Sequence, residues 1–211
     1  MRRAKDIRTK WLRLKGSIKM KALEQKIIEE GKVYSGDILK VDRFLNHRMD
    51  VEFLNEIGKE FCSLYKEQGI NKVLTIEASG IGIACITALN FSPVVPAVFA
   101  KKSASKNISG DVYTSRVFSY THGKTYDVMV AKEHLSADDR VLIIDDFLAK
   151  GAALEALVDI CNQAKCEVVG VGIVIEKAYQ GGGNRLREMG IRIESLAKIQ
   201  SMSADGTIEF C

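Results

Sequence analysis

The sequence predicts an α/β domain, a mainly parallel twisted sheet flanked by helices. Stretches with a helical apolar stripe alternate along the chain with short runs rich in Val, Leu and Ile. The runs at residues 140–146 and 167–176 are apolar almost throughout, as strands covered on both faces are. Strand–helix–strand order requires crossover connections, and those make neighbouring strands parallel.

Residues 21–30 read as a short helix with Leu23, Ile27 and Ile28 on one side. Asp50 suits the N-cap of a helix running to Lys66, whose stripe is Leu54, Ile57, Phe61, Leu64 and Tyr65; Gly69 ends it. Residues 72–77 form a strand, which Ala78-Ser79-Gly80 turns into a second helix reaching Ala88. Residues 94–100, beside Pro93 and Pro96, form another strand. The polar stretch 101–125 contains Gly110 and Gly123 and fits a hairpin with arms at 112–120 and 127–131. Residues 140–146 make a buried strand, followed by a helix from Gly151 to Lys165 with Leu154, Leu157, Val158 and Cys161 inward. Residues 167–176 are the most central strand. Residues 181–183, three glycines, read as a flexible turn, and strands near 192–199 and 207–210 as a small C-terminal flap.

Hydrophobic residues make up 46% and charged residues 27%, which is globular rather than disordered composition. No apolar run has the length of a bilayer span, and no apolar segment follows the basic start as in a secretory signal. The five cysteines are odd in number and lack metal-ligand spacing, so they read as reduced thiols of a cytoplasmic protein. The net charge of +4 is unevenly spread. Residues 1–21 hold nine Lys/Arg and one Asp, so the other 190 residues carry −4. Residues 1–19 are therefore expected to be a basic extension, and residues 20–211 the folded domain. A nucleic-acid role would require a binding module beside so short an arm, and none is visible.

The segment Val141-Leu142-Ile143-Ile144-Asp145-Asp146-Phe147-Leu148-Ala149-Lys150-Gly151 carries the chemistry. Its strand delivers Asp145 and Asp146 to a carboxyl end, where open α/β sheets bind ligands. Ala149, Gly151, Ala152 and Ala153 are small, and the start of the next helix offers unpaired amides to an anion. Two acids beside such a cradle suit sugar hydroxyls, or Mg²⁺ held through water. By itself the string also fits a plain acidic turn, with Asp145 or Asp146 capping the helix. A P-loop is excluded, because GxxxxGK[ST] is absent.

That segment resembles the phosphoribosyl pyrophosphate (PRPP) motif of type I phosphoribosyltransferases: hydrophobic residues, two acids, then a loop holding the 5′-phosphate. It departs from the common Thr-Gly-Gly-Thr ending, since Lys150 and Ala153 stand where hydroxyl residues would. Its ending is similar to that of the xanthine branch of the family. Four segments extend the likeness in order. Residues 39–47 resemble a purine-binding segment, 75–81 a pyrophosphate loop, and 174–180 with 194–199 the base-recognition strand and C-terminal segment.

The resemblance implies the type I phosphoribosyltransferase fold with a small hood and a mobile lid. It implies purine salvage, with xanthine and PRPP converted to xanthosine 5′-monophosphate (XMP) and pyrophosphate. Mg²⁺ would arrive with PRPP rather than on direct protein ligands. A cytoplasmic homodimer with neither membrane nor nucleic-acid partner is implied too. Asp145 and Asp146 would hold the ribose, and Ala149, Lys150, Gly151, Ala152 and Ala153 the 5′-phosphate. Ala78, Ser79, Gly80, Lys101 and Lys102 would take the pyrophosphate, and Leu39, Asn46, Lys177 and Tyr179 the xanthine. Ser119-Tyr120 falls in the lid. An Asn amide matches the oxo and N–H groups of a purine edge. A lysine ammonium favours an oxo group over the amino group of adenine, which would set a donor against a donor. Hypoxanthine/guanine or adenine transferases are the nearest alternatives, and a PRPP-responsive purine regulator the alternative of another class. His47, His122 and His134 form no nucleophile or metal constellation and read as surface or packing residues.

Overall fold

The computed structural model describes residues 17–34, 37–102, 110–119, 124–203 and 205–211. Helix α1 (Ser17–Glu30) leads into a two-stranded ribbon, β1 (Lys32–Tyr34) and β2 (Ile38–Lys40). Helix α2 (Val51–Tyr65), β3 (Lys72–Ile76), α3 (Gly80–Asn90) and β4 (Ala97–Ala100) follow. A hairpin of β5 (Val112–Ser119) and β6 (Lys124–Ala131) precedes β7 (Arg140–Leu148), α4 (Ala152–Ala164) and β8 (Glu167–Lys177). The chain closes with α5 (Gly182–Glu188), β9 (Ile193–Met202) and β10 (Ile208–Phe210).

The central sheet has the order β10-β9-β8-β7-β3-β4, all parallel except β10. From β3 the chain moves outward to β4, then crosses back to β7 on the other side of β3. The winding reverses between β3 and β7, and an open sheet of this kind forms its ligand crevice at that point.

Strand β7 shows how sequence sets the two layers. Leu142 and Ile144 face a core built from α1, α2 and α3, with Leu23, Ile27, Leu54, Phe61 and Ile83. Val141 and Ile143 face the opposite core, made by α4 and the hairpin through Leu154, Leu157, Val117 and Val128. Alternation along a pleated strand produces this division, and it places Asp145 and Asp146 on opposite faces as well. Asp50 caps α2 as its sequence position suggests, its Oδ1 accepting from the Phe53 amide at 3.2 Å. Two glycines of β8 bring α2 close to the sheet. A Cβ on Gly170 would stand 2.5 Å from Tyr65 Cε1, and one on Gly172 2.7 Å from Phe61 Cδ1. The approach lets the buried Tyr65 hydroxyl donate to the Val171 carbonyl at 2.9 Å.

Four expectations need correction. The last strands are not a separate flap: β9 lies parallel to β8 within the central sheet, and β10 closes that edge. The small hood is instead the β1–β2 ribbon, which the sequence reading passed over. The three-glycine turn is the start of α5, whose buried Gly182 and Gly183 pack against β8 and its neighbouring loop. Strand β4 begins only after Pro96, because proline has no N–H for the ladder. The first helix also starts earlier than expected, at Ser17.

Gly172→Ala should destabilise the fold by about 1–3 kcal/mol through overpacking against Phe61 and Ile144. Urea denaturation would measure this, and an unchanged midpoint would contradict the close packing of α2.

Candidate active site

A cleft of about 840 Å³ opens at the carboxyl ends of β7 and β8. Its floor and one wall come from Leu148 and residues 149–154, the loop and first turn of α4. Gly151 holds φ +84°, a left-handed conformation that admits glycine readily and turns the chain sharply into α4. The first amides of this 13-residue helix therefore point at the cleft with no partners in the helix itself. The opposite wall carries Leu39 and Asn46, and Lys177 stands at the end of β8. Ser79 lines the cleft from the β3–α3 turn, where the Glu77–Ala78 peptide is cis.

Asp145 and Asp146 lie at the end of β7, 6% and 9% exposed. The Asp146 amide donates to Asp145 Oδ1 at 2.9 Å, and the Phe147 amide to Asp146 Oδ1 at 3.0 Å. Asp146 Oδ2 accepts the Asn46 side-chain amide at 2.9 Å, joining a residue 100 positions earlier to the acid pair. Burial, reinforced by the neighbouring Asp146, pushes the Asp145 carboxyl well above the ordinary carboxylate range. The Lys102 charge and the Asp146 amide oppose that rise without cancelling it. Space around Asp145 is tight, since a Cβ on Gly80 would come 3.1 Å from its Oδ1 and 2.0 Å from Thr75 Oγ1. Thr75 Oγ1 is itself buried without a hydrogen-bond partner.

Lys177 is bound to the hood. Its ammonium donates to the Asp37 carbonyl and lies 5.7 Å from the centroid of the Phe147 ring. Burial lowers its pKa, with the Asp37 charge acting the other way. Tyr179 is placed differently from expectation. It is 41% exposed and does not line the cleft; its hydroxyl donates to the Asp37 carboxylate at 3.1 Å. Phe147 and Gln180 line the cleft instead, as do Phe118 and Tyr126 of the hairpin. An aromatic directly after two acids is a signal the sequence did contain.

The remaining candidates divide. Ala78 is exposed on its turn and Gly80 is buried at the start of α3. Lys101 exchanges backbone hydrogen bonds with Met129, tying β4 to the hairpin. The Lys102 amide donates to Glu77 Oε1 at 2.6 Å, and its ammonium lies 5.9 Å from the Tyr126 centroid. Ala149 is half-buried and Lys150 exposed. Ser119 ends β5, whereas Tyr120 and His122 lie outside the described residues. Among the described residues no group of three or more His, Cys, Asp or Glu could hold a metal alone. Two adjacent carboxyls do suit a Mg²⁺ that brings phosphate oxygens and waters of its own. No described helix is long and apolar enough to cross a membrane.

Known proteins can be compared with this geometry. The phosphoribosyl transferase domain matches residues 52–186. A xanthine phosphoribosyltransferase of Lachnoclostridium phytofermentans is 56% identical over 192 residues, covering 90% of this chain and 98% of its own. One from Bifidobacterium adolescentis is 50% identical over 192 residues, covering 90% and 99%. Among solved structures, the adenine phosphoribosyl transferase of Trypanosoma brucei in complex with AMP, pyrophosphate and ribose-5-phosphate superposes with a TM-score of 0.73. It is 19% identical and covers 87% of this chain and 82% of its own, a likeness of fold alone. The adenine enzyme of Giardia lamblia complexed with 9-deazaadenine is 26% identical with a TM-score of 0.63, covering 71% and 81%.

A carboxyl whose folded pKa is raised costs stability as pH rises from the ordinary carboxylate range to that raised value, because the unfolded chain ionises first. Asp145→Asn should therefore raise the melting temperature of the ligand-free protein, with a gain that grows as pH increases and then levels off. Melting curves across pH would check this. A stability difference from wild type that does not change with pH would show that burial does not raise the Asp145 pKa.

Proposed function

The chain belongs to the phosphoribosyltransferase family, and on that premise we propose that it makes XMP and pyrophosphate from xanthine and PRPP. The observation that carries this reading is the acid pair at the end of β7, immediately before the loop and helix start that line the cleft together with Lys177. The curated relatives named for xanthine, at 50% and 56% identity, support the choice of base. The adenine enzymes that share the fold do not bear on it, because their likeness is in architecture.

The reaction displaces pyrophosphate at the anomeric carbon of PRPP by a ring nitrogen of the base, with inversion and an oxocarbenium-like transition state. The bond to nitrogen forms as the bond to the pyrophosphate oxygen breaks, and the proton lost by that nitrogen passes to solvent or to the departing pyrophosphate. No protein nucleophile takes part. The chain's own work is positioning and electrostatics. The first amides of α4 and the Gly151 turn hold the 5′-phosphate. Asp145 and Asp146 accept from the ribose hydroxyls and lie where positive charge develops on the ring. When bound with PRPP, Mg²⁺ offsets the charge of the pyrophosphate leaving group. Ser79, with the neighbouring Ala78 and Gly80, offers amides to the pyrophosphate, and Lys102 adds charge.

Asn46 is oriented by its bond to Asp146, which leaves its amide oxygen to accept from an N–H of the base. Lys177 donates to an oxo oxygen, and it exchanges the Asp37 carbonyl for the substrate when it does so. Phe147 lines the cleft and offers its ring to stack on the base. The β5–β6 hairpin lies against the same cleft through Phe118 and Tyr126 and serves as the lid that excludes water. The activity resides in residues 20–211, a reading supported by relatives that match 192 residues. The enzyme works in the cytoplasm, in keeping with its free cysteines. It is a homodimer; the exposed Leu89, Val94 and Phe99 near the edge strand β4 support a contact there.

A panel of xanthine, hypoxanthine, guanine and adenine with PRPP and Mg²⁺ tests the reading. Xanthine should give the highest kcat/KM; adenine as best substrate with xanthine inert would overturn it. Lys177→Ala should raise the KM for xanthine roughly tenfold or more, the worth of one charge-assisted hydrogen bond. Its KM for PRPP should stay the same, and an equal loss for both substrates would contradict the role. Replacing Asp145 and Asp146 together by Asn should leave a folded protein with turnover abolished.

A further inference from the structure

We propose that Arg185 is a positioning residue for the phosphate-binding loop, holding its carbonyls outward so that its amides face the 5′-phosphate. The proposal rests on the phosphoribosyl reading of that loop and concerns a residue outside the cleft.

Helix α5 lies behind residues 149–151 and engages two successive carbonyls. The Gly182 amide donates to the Ala149 carbonyl at 3.2 Å, and Arg185 Nη2 donates to the Lys150 carbonyl at 2.6 Å. In a planar trans peptide the carbonyl and the following N–H point in opposite directions. Fixing these two carbonyls against α5 therefore turns the amides of Lys150 and Gly151 away from it, toward the cleft that both residues line. Glu155, in the first turn of α4, holds the same guanidinium, with Nε at 2.8 Å from its Oε1. One side chain thus joins the loop, α5 and the helix whose N-terminus completes the cradle. Guanidinium geometry suits this role, because its donors reach a carbonyl and a carboxylate at once.

Helix α5 has a fixed platform. Arg187 makes two 2.7 Å bonds to the buried Glu176, whose Oε2 also accepts from Ser195. Burial would raise the Glu176 pKa, but the Arg187 and Ser195 bonds outweigh it and hold the carboxyl below its ordinary value. The close approach requires glycines. A Cβ on Gly182 would lie 2.3 Å from the Ala149 oxygen, and one on Gly183 2.0 Å from Glu176 Oε1. Because this loop carries Lys150 and Ala153 where hydroxyl side chains would assist, its affinity depends more heavily on how its amides are aimed.

The test is calorimetric titration of ribose 5-phosphate into wild type, Arg185→Ala and Arg185→Lys, with steady-state KM values for PRPP and for the base. Arg185→Ala should weaken ribose 5-phosphate and raise the KM for PRPP roughly tenfold, the loss of one charge-assisted bond. The KM for the base should not change. Arg185→Lys should recover part of the loss, since an ammonium still donates to the carbonyl but cannot also span Glu155. Unchanged ribose 5-phosphate binding in Arg185→Ala would overturn the proposal, as would an equal loss for the base. If Arg185→Ala melts well below wild type, Arg185→Met, which keeps the aliphatic stem but has no donor, decides: intact stability with unaltered phosphate binding overturns it too. Wild-type protein that binds neither ribose 5-phosphate nor PRPP would instead remove the phosphoribosyl reading, and the proposal with it.

Discussion

Burial of two adjacent carboxyls at the end of β7 is the constraint on which the site depends. A carboxylate removed from water is costly unless hydrogen bonds or cations replace its hydration. Here backbone amides of Asp146 and Phe147 supply part of that replacement, and Asn46 supplies more. These bonds do not offset burial and the neighbouring Asp146, which together push the Asp145 carboxyl well above the ordinary range. A ligand with hydroxyl donors and developing positive charge meets that need.

The central sheet explains how so small a cleft gathers groups from distant parts of the chain. The reversal of winding between β3 and β7 aims three strand ends at one crevice. Alternation along β7 sends Asp146 toward Asn46, and Asp145 toward Lys102 and Tyr126. Glu176 and Lys177 are consecutive residues of β8 with separate tasks. Glu176 secures α5 behind the phosphate loop, while Lys177 reaches the hood and faces the cleft. On the proposed reading, the phosphate and base ends of the site are in this way mounted on one strand.

Much of this was legible in the sequence, and the failures have physical causes. Strands 140–146 and 167–176 declare themselves by unbroken Val, Leu and Ile, and Asp50 caps α2 as its position suggests. The α5 helix was hidden because glycines disfavour helix, and only the nearness of Ala149 and Glu176 makes them necessary. Strand β9 looked peripheral because Glu194, Ser195 and Lys198 interrupt its apolar residues. Yet Ser195 is buried where its hydroxyl meets Glu176, a partner no local pattern reveals. Asp37 was missed for the same reason: Lys177 and Tyr179 are 140 and 142 residues away from it. Tyr179, which the resemblance assigns to the base, sits on the short turn 178–180 with its hydroxyl on the Asp37 carboxylate, a contact no local pattern reveals.

On the proposed reading, burial raises the Asp145 pKa in the free protein and the phosphoribosyl ligand lowers it again. Carbon-13 NMR of its side-chain carboxyl, titrated with pH in the free protein and with PRPP and Mg²⁺ bound, measures this directly. In the free protein the midpoint should lie well above the ordinary carboxylate range, and binding should bring it down. An ordinary midpoint in the free protein, unmoved by the ligand, would contradict the account.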